Sequence, residues 1–189
     1  MKNFKTLRDV PILSPLGFQK ISAPAVIAEK IAQVYAELQP KERLEIFAGM
    51  EQFITNVEAK PPVALMSMDL VPEQRDDILL EFGSVFQDWV NVPIQPHCLY
   101  GIRSYKQGSI LNLHVDRIST HHVSAIFCVD KSVVEDWALD ICDHHGAWHK
   151  VYLNPGEMVL YESAICQHGR LQPLNGAFYN NLFVHYSLV

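Results

Sequence analysis

Along the first half of the chain, apolar residues recur at spacings of three and four, the period of a helix with one buried face. Ser22-Ala23-Pro24 predicts a helix start, with the serine as cap and the proline in the first turn. Pro24, Ile27, Ile31, Val34 and Leu38 form one stripe, and Pro40 ends it. A second, shorter helix is expected over 41–54, with Leu44, Phe47, Met50 and Ile54 on one side. Lys60-Pro61-Pro62 breaks the pattern, and a third helix is expected from Pro72. Its apolar face is Ile78, Leu79, Phe82, Val85, Phe86 and Trp89, while Glu73, Arg75, Asp76, Asp77 and Asp88 are left to solvent. Such stripes are core packing.

From residue 97 the period changes. Short runs at 97–106, 110–116, 121–130, 137–143, 148–153, 158–162, 166–171 and 177–188 read as strands. Gly108, Gly146, Asn154-Pro155-Gly156 and Asn175-Gly176 punctuate the gaps between them. Eight short strands after a helical lead-in predict a mainly β protein: a jelly roll with helices packed outside one sheet. Neither internal repeats nor a low-complexity linker divides the 189 residues. One domain is expected, with 1–96 as helical support and 97–187 as the core.

Composition narrows the function. The formal charge is -6, with 49% apolar and 19% charged residues. That balance argues against nucleic acid and anionic lipid as partners, since both need a basic face. No run approaches the roughly eighteen apolar residues of a membrane span. Met1-Lys2-Asn3-Phe4-Lys5, leading into Pro11 and Pro15, lacks the continuous apolar stretch of a signal peptide, so a cytoplasmic protein is expected. Cys98, Cys128, Cys142 and Cys166 form no C-x-x-C pair and are expected to be reduced. All nine histidines lie after residue 96, which places the chemistry in the second half.

His114-Val115-Asp116 on one predicted strand would aim two ligating side chains at the same face. His168, on a later strand, can complete one triangular face of an octahedron. This two-histidine, one-carboxylate set suits non-haem Fe(II) and leaves positions open. H-x-D alone is a weak motif. Here Leu113 and Val115 point the other way, Tyr105-x-x-Gly108 forms a turn just before it, and Gly169-Arg170 follows His168.

The stretch Tyr105-x-x-Gly108-x-x-Leu111-x-x-His114-x-Asp116 resembles the start of the catalytic core of prolyl-4-hydroxylase-like Fe(II)/2-oxoglutarate-dependent dioxygenases. So does Asn154-Pro155-Gly156-Glu157-Met158-Val159-Leu160-Tyr161-Glu162-Ser163, followed by His168-Gly169-Arg170. Tyr100-Gly101-Ile102-Arg103, His114-Val115-Asp116-Arg117 and Phe178-Tyr179-Asn180-Asn181-Leu182-Phe183-Val184-His185 match a subgroup. The resemblance spans about residues 97–187. It implies a double-stranded β-helix with Fe(II) on His114, Asp116 and His168. It also implies 2-oxoglutarate as cosubstrate and O2 as oxidant, with succinate and CO2 released as an aliphatic C–H of an amino acid, peptidyl residue or other small molecule is hydroxylated.

In prolyl 4-hydroxylases a lysine after the distal histidine pairs with the far carboxylate of 2-oxoglutarate. The corresponding stretch here, Gly176-Ala177-Phe178-Tyr179, has no cation. A carboxylate in a desolvated barrel needs a charged partner. Arg170 is the first candidate, on the same strand face as His168; Arg103 is the second and Arg117 the third. Tyr105, Ser124 and Asn181 are candidate hydrogen-bonding residues around the cosubstrate. Tyr161 and one of His121 and His122, with His122 and Arg117 as the named candidates, are placed around the substrate. Residues 143–149, with three histidines and a turn glycine, are expected to be a hairpin loop and not a second metal cluster. Two other readings stay open: a cupin-like metal oxygenase independent of 2-oxoglutarate, and a non-catalytic metal-binding jelly roll.

Overall fold

The computed structural model describes residues 9–189; the Met1–Lys5 stretch read for a leader lies outside the described residues. Among the described residues, thirteen strands and three α-helices follow in chain order: β1 (Phe18–Ser22), α1 (Ala25–Leu38), β2 (Arg43–Leu44), α2 (Met50–Phe53), β3 (Ile54–Asn56), β4 (Val63–Ser67) and α3 (Pro72–Val90). Then come β5 (Ile94–Cys98), β6 (Gly101–Lys106), β7 (Ser109–His114), β8 (Val123–Val133), β9 (Leu139–Cys142), β10 (Trp148–Val151), β11 (Glu157–Tyr161), β12 (His168–Arg170) and β13 (Gly176–Leu188). One sheet runs β1-β11-β8-β13-β6-β4-β2, with β5 also paired to β13; the other runs β10-β9-β12-β7-β3. The two sheets face each other as the jelly roll that the strand spacing predicts.

Alternation along the large sheet divides its side chains between two cores. Ile102, Ala125, Phe127, Met158, Leu160, Leu182 and Val184 face outward and pack on the apolar stripes of α1 and α3. Those stripes are Ile27, Ile31, Val34 and Leu38 on α1, and Ile78, Phe82, Phe86 and Val90 on α3. Tyr105, Ile126, Cys128, Val159, Tyr161 and Tyr179 face inward, against Leu111, Leu139, Ile141 and Val151 of the small sheet. The site lies on the inner side, so the helices stiffen one wall without entering it.

The helical reading of residues 1–96 needs correcting: this half also supplies β1 to β4. Val63–Ser67 is a central strand of the large sheet, between β2 and β6. A short apolar run buried on both faces carries no period that would separate strand from helix. Residues 41–54 do not form the expected helix. Gly49 sits in the left-handed region at φ +77°, and only Met50–Phe53 is helical, while Leu44 lies exposed on the edge strand β2. Ser22 is not the cap of α1; it ends β1, and Pro24 precedes the helix without a side-chain cap bond. The expected strand 97–106 is broken at Leu99-Tyr100 into β5 and β6. No helix among the described residues is long and apolar enough to cross a membrane.

Phe86 is fully buried, its ring 4.9 Å from that of Tyr186 and 6.3 Å from that of Phe82. Phe86→Ala should therefore lower unfolding stability by about 3–5 kcal/mol in urea titrations. A loss under about 1 kcal/mol would show that the helices are not tightly packed on the sheet.

Candidate metal centre

Strand β12 pairs antiparallel with β7 in a register that sets His168 opposite His114. Gly169 permits this approach: a Cβ there would stand 2.8 Å from the Leu111 carbonyl oxygen. The two imidazole centroids are 4.4 Å apart. His114 Nδ1 lies 2.7 Å from the Asn112 carbonyl, and His168 Nδ1 lies 2.9 Å from that of Cys166. A carbonyl can only accept, so each Nδ1 carries the proton and each Nε2 keeps its lone pair for the interior.

Asp116 reaches the same point by a different route from the one the sequence predicts. β7 ends at His114, and Asp116 lies in the following loop, where its N–H donates to the Ser163 carbonyl at 2.8 Å. Its Oδ1 stands 3.7 Å from His114 Nε2 and 3.9 Å from His168 Nε2. The three ligating atoms all lie within 4.8 Å of one another. Burial pushes His168 down to about 4. It also lowers His114, helped by the neighbouring His168. Burial pushes the Asp116 carboxyl up, against the pull of His114 and His121. Two neutral nitrogens and a desolvated carboxylate around one point form a donor set that a divalent cation satisfies, and the set fits non-haem Fe(II).

Ser124 stands behind Asp116 and does not line the cavity as the expected cosubstrate ligand would. Its Oγ is 2.6 Å from Ser163 Oγ, 2.6 Å from His185 Nδ1 and 3.5 Å from Asp116 Oδ2. His185 Nδ1 is itself 3.6 Å from Asp116 Oδ2. This polar group fixes the carboxylate's orientation, as ligand-supporting hydrogen bonds do.

The cavity in front of the triad is lined by Arg103, Tyr105, Leu111, Ile126, Tyr161 and Phe183, together with His121, His185 and the exposed Tyr100. Tyr161 packs edge-on against His168 at 4.7 Å. Arg103 lines the cavity but is already engaged: its Nε and Nη2 each lie 2.6 Å from a Glu45 carboxylate oxygen. Arg170 is 1% exposed, and its guanidinium is stacked between the rings of Trp137 at 4.7 Å and Tyr179 at 4.5 Å. It donates to the Trp137 carbonyl, and its Nη2 has no hydrogen-bond partner. Among the described residues no carboxylate pairs with it. The Tyr105 hydroxyl and both polar atoms of the Asn181 side chain are likewise buried without partners.

Arg117 is exposed on an outer cleft next to His114 and Asp116. Of the adjacent histidines, His121 reaches the cavity; His122 is buried on the other side, accepting the Leu188 N–H at 3.2 Å, so its placement beside the substrate is corrected. Residues 143–149 form the expected hairpin turn. Asp143 accepts from the N–H groups of His145 and Ala147 at 2.8 and 2.9 Å, and lies 2.7 Å from His149 Nε2. All four cysteines are free. Sequence reasoning missed Glu45, Ser163 and the place of His185. For His185 a signal existed, because it alternates with Asn181 and Phe183 on one face of β13; Glu45 had none.

No protein-family model and no curated protein matches the chain. Solved structures do. A prolyl-4-hydroxylase from Pseudomonas putida is 16% identical with a TM-score of 0.63, covering 97% of this chain and 98% of that one. An oxidoreductase of the 2OG-Fe(II) oxygenase family from Burkholderia pseudomallei is 13% identical with a TM-score of 0.68, covering 96% of this chain and 87% of that one. HygX from Streptomyces hygroscopicus, with nickel, 2-oxoglutarate and hygromycin B bound, is 16% identical with a TM-score of 0.65, covering 92% and 84%. The shared feature is the fold: this chain is a double-stranded β-helix of the type found in 2OG-Fe(II) oxygenases.

Two outcomes follow from the geometry. His114→Ala and His168→Ala should each abolish stoichiometric Fe(II) binding in anaerobic titrations, while Ser124→Ala should weaken it about 10-fold or more; full affinity in a histidine variant would rule out the triad. The second outcome concerns pH. His121 and His168 are held near 4, and His114, His122 and His185 are also lowered by burial. An unfolded chain takes up those protons near its ordinary pKa of about 6.5. Stability of the metal-free protein is therefore complete above that value and falls as the pH drops from about 6.5 towards 4. Asp116, raised by burial, acts in the opposite sense but is a single group. The urea midpoint should be lower at pH 5 than at pH 7.5; an unchanged midpoint contradicts the neutral-histidine core.

Proposed function

We propose that the protein is an Fe(II)- and 2-oxoglutarate-dependent oxygenase that hydroxylates an aliphatic C–H of an amino acid, a peptidyl residue or another small molecule. The observation that carries this is the His114, Asp116 and His168 donor set, gathered within 4.8 Å at the wall of an inner cavity. Fe(II) on these residues would supply O2 activation coupled to conversion of 2-oxoglutarate to succinate and CO2. The fold neighbour with nickel and 2-oxoglutarate bound supports the same pairing of metal and cosubstrate.

The chain's own residues set the rest. A dianionic cosubstrate must find a cation inside the barrel, because an unpaired buried carboxylate costs several kcal/mol. The two inner arginines differ in that respect. Arg103 is neutralised by Glu45, whereas Arg170 is fully buried with no carboxylate and one free Nη2. Arg170 is therefore assigned as the anchor for the far carboxylate. Arg170 does not itself line the cavity, but its strand partner Leu111 does, and so does Tyr105, on which its neighbour Trp137 packs at 5.1 Å; this proximity supports the assignment. The Tyr105 hydroxyl and the Asn181 amide, also buried without partners, are assigned as neutral hydrogen-bonding groups for the cosubstrate. Trp137 and Tyr179 hold the guanidinium flat and keep water from it. The substrate enters at the rim, past Tyr100, His121 and the outer Arg117. The four free cysteines support a cytoplasmic location.

Arg170→Ala should raise the KM for 2-oxoglutarate at least 10-fold, about 1.4 kcal/mol, with Fe(II) affinity nearly unchanged, and Arg170→Lys should recover only part of this. Arg103→Ala should leave that KM within about 2-fold, a difference of about 0.4 kcal/mol. The assay is succinate formation with both Fe(II) and 2-oxoglutarate present. A normal KM in Arg170→Ala with a raised one in Arg103→Ala would move the anchor to β6. If neither variant changes it, the far carboxylate is held by neither inner arginine and the anchor assignment fails. No succinate formation at any 2-oxoglutarate concentration in the parent protein would show that 2-oxoglutarate is not the cosubstrate.

A further inference from the structure

A second set of ligating atoms lies at the cavity rim, and it includes sulfur. β5 ends in His97-Cys98, and Thr120-His121 stand in the loop ahead of β8. Cys98 pairs with His185 and Pro96 with Tyr186, so His97 is the extra residue of a β-bulge. Neighbours in a regular strand point to opposite faces, but a bulge re-aims one of them. As a result one ligating atom each from His97, Cys98 and His121 lies within 4.8 Å of the other two.

The details suit metal binding. Cys98 Sγ is 3.8 Å from His121 Nε2, and the His97 and His121 ring centroids are 5.4 Å apart. Thr120 Oγ1 lies 2.7 Å from His121 Nδ1. With the hydroxyl accepting the Nδ1 proton, the Nε2 lone pair faces the sulfur, the orientation a supporting hydrogen bond gives a metal-bound histidine. His97 is exposed, Cys98 half-buried and His121 buried, so the cluster opens to solvent on one side.

We infer that His97, Cys98 and His121 form a second metal site, for a thiophilic divalent ion of the zinc class. Two imidazoles and a thiolate prefer Zn(II) or Co(II) to Mg(II) or Ca(II), which take oxygen ligands. On binding, the Cys98 thiol releases its proton to solvent. Three protein ligands leave a fourth tetrahedral position for water. The ion would fasten β5 to the loop entering β8, beside His185, whose ring lies 4.0 Å from that of His121. Nothing in this depends on the oxygenase activity, because the site uses none of the triad residues.

Cobalt distinguishes the two sites, since only the second contains sulfur. Co(II) added to the metal-free full-length protein should bind at two equivalents and give a thiolate-to-cobalt charge-transfer band in the near ultraviolet. His114→Ala should retain the band and lose one equivalent. Cys98→Ser, and independently the exposed His97→Ala, should lose the band and keep one equivalent at the triad. Zn(II) should displace the band in the parent protein. A single equivalent without a thiolate band would overturn the site, leaving an ordinary thiol contact between Cys98 and His121. A band that survives Cys98→Ser would overturn it as well, by assigning the sulfur to another cysteine.

Discussion

The antiparallel pairing of β12 with β7 is the constraint on which the rest of the site depends. It sets His168 against His114 across two neighbouring strands of the small sheet. Because each ring donates Nδ1–H to a carbonyl two residues back on its own chain, the backbone fixes both tautomers. Asp116 is the only ligand held by a loop, and its position rests on a backbone bond to Ser163 and the hydroxyl of Ser124. The helices outside the large sheet contribute rigidity: α1 and α3 cover the outer face of the strands that carry Ser124, Tyr161 and His185 on their inner faces.

Charge balance inside the barrel separates residues that look equivalent in sequence. Arg103 and Arg170 both lie beside a site motif, yet one is closed by Glu45 and the other is buried without a counter-ion. Burying an unpaired guanidinium costs several kcal/mol, so the fold tolerates Arg170 only with help from the Trp137 and Tyr179 rings and the Trp137 carbonyl. That unmet charge is the observation behind the proposal that Arg170 anchors an anion.

Much of this was legible in the residues. The helical stripes of α1 and α3, the jelly-roll strands after residue 97 and the gathering of His114, Asp116 and His168 at one point all follow from local periodicity and motif order. What was not legible depends on contacts distant in sequence. Val63–Ser67 becomes a strand because β6 lies beside it, and residues 41–54 break into the short strand β2, a turn at Gly49 and the single turn of α2, with Glu45 paired to Arg103. Strand alternation put Asp116 on the right side for the wrong reason, since the strand has ended before it. His122 was misplaced because no pattern says which of two adjacent histidines enters the core. The bulge at His97 is equally silent in sequence, since it arises from a register shift against β13.

The central claim is that one Fe(II) on His114, Asp116 and His168 is chelated by 2-oxoglutarate inside this barrel. An anaerobic titration followed by visible absorption tests it directly, because a 2-oxo acid chelated to Fe(II) gives a charge-transfer band that neither component shows alone. The account predicts a band that saturates at one Fe(II) per chain, requires 2-oxoglutarate and vanishes in His168→Ala. Stoichiometric Fe(II) binding with no band at saturating 2-oxoglutarate would contradict it.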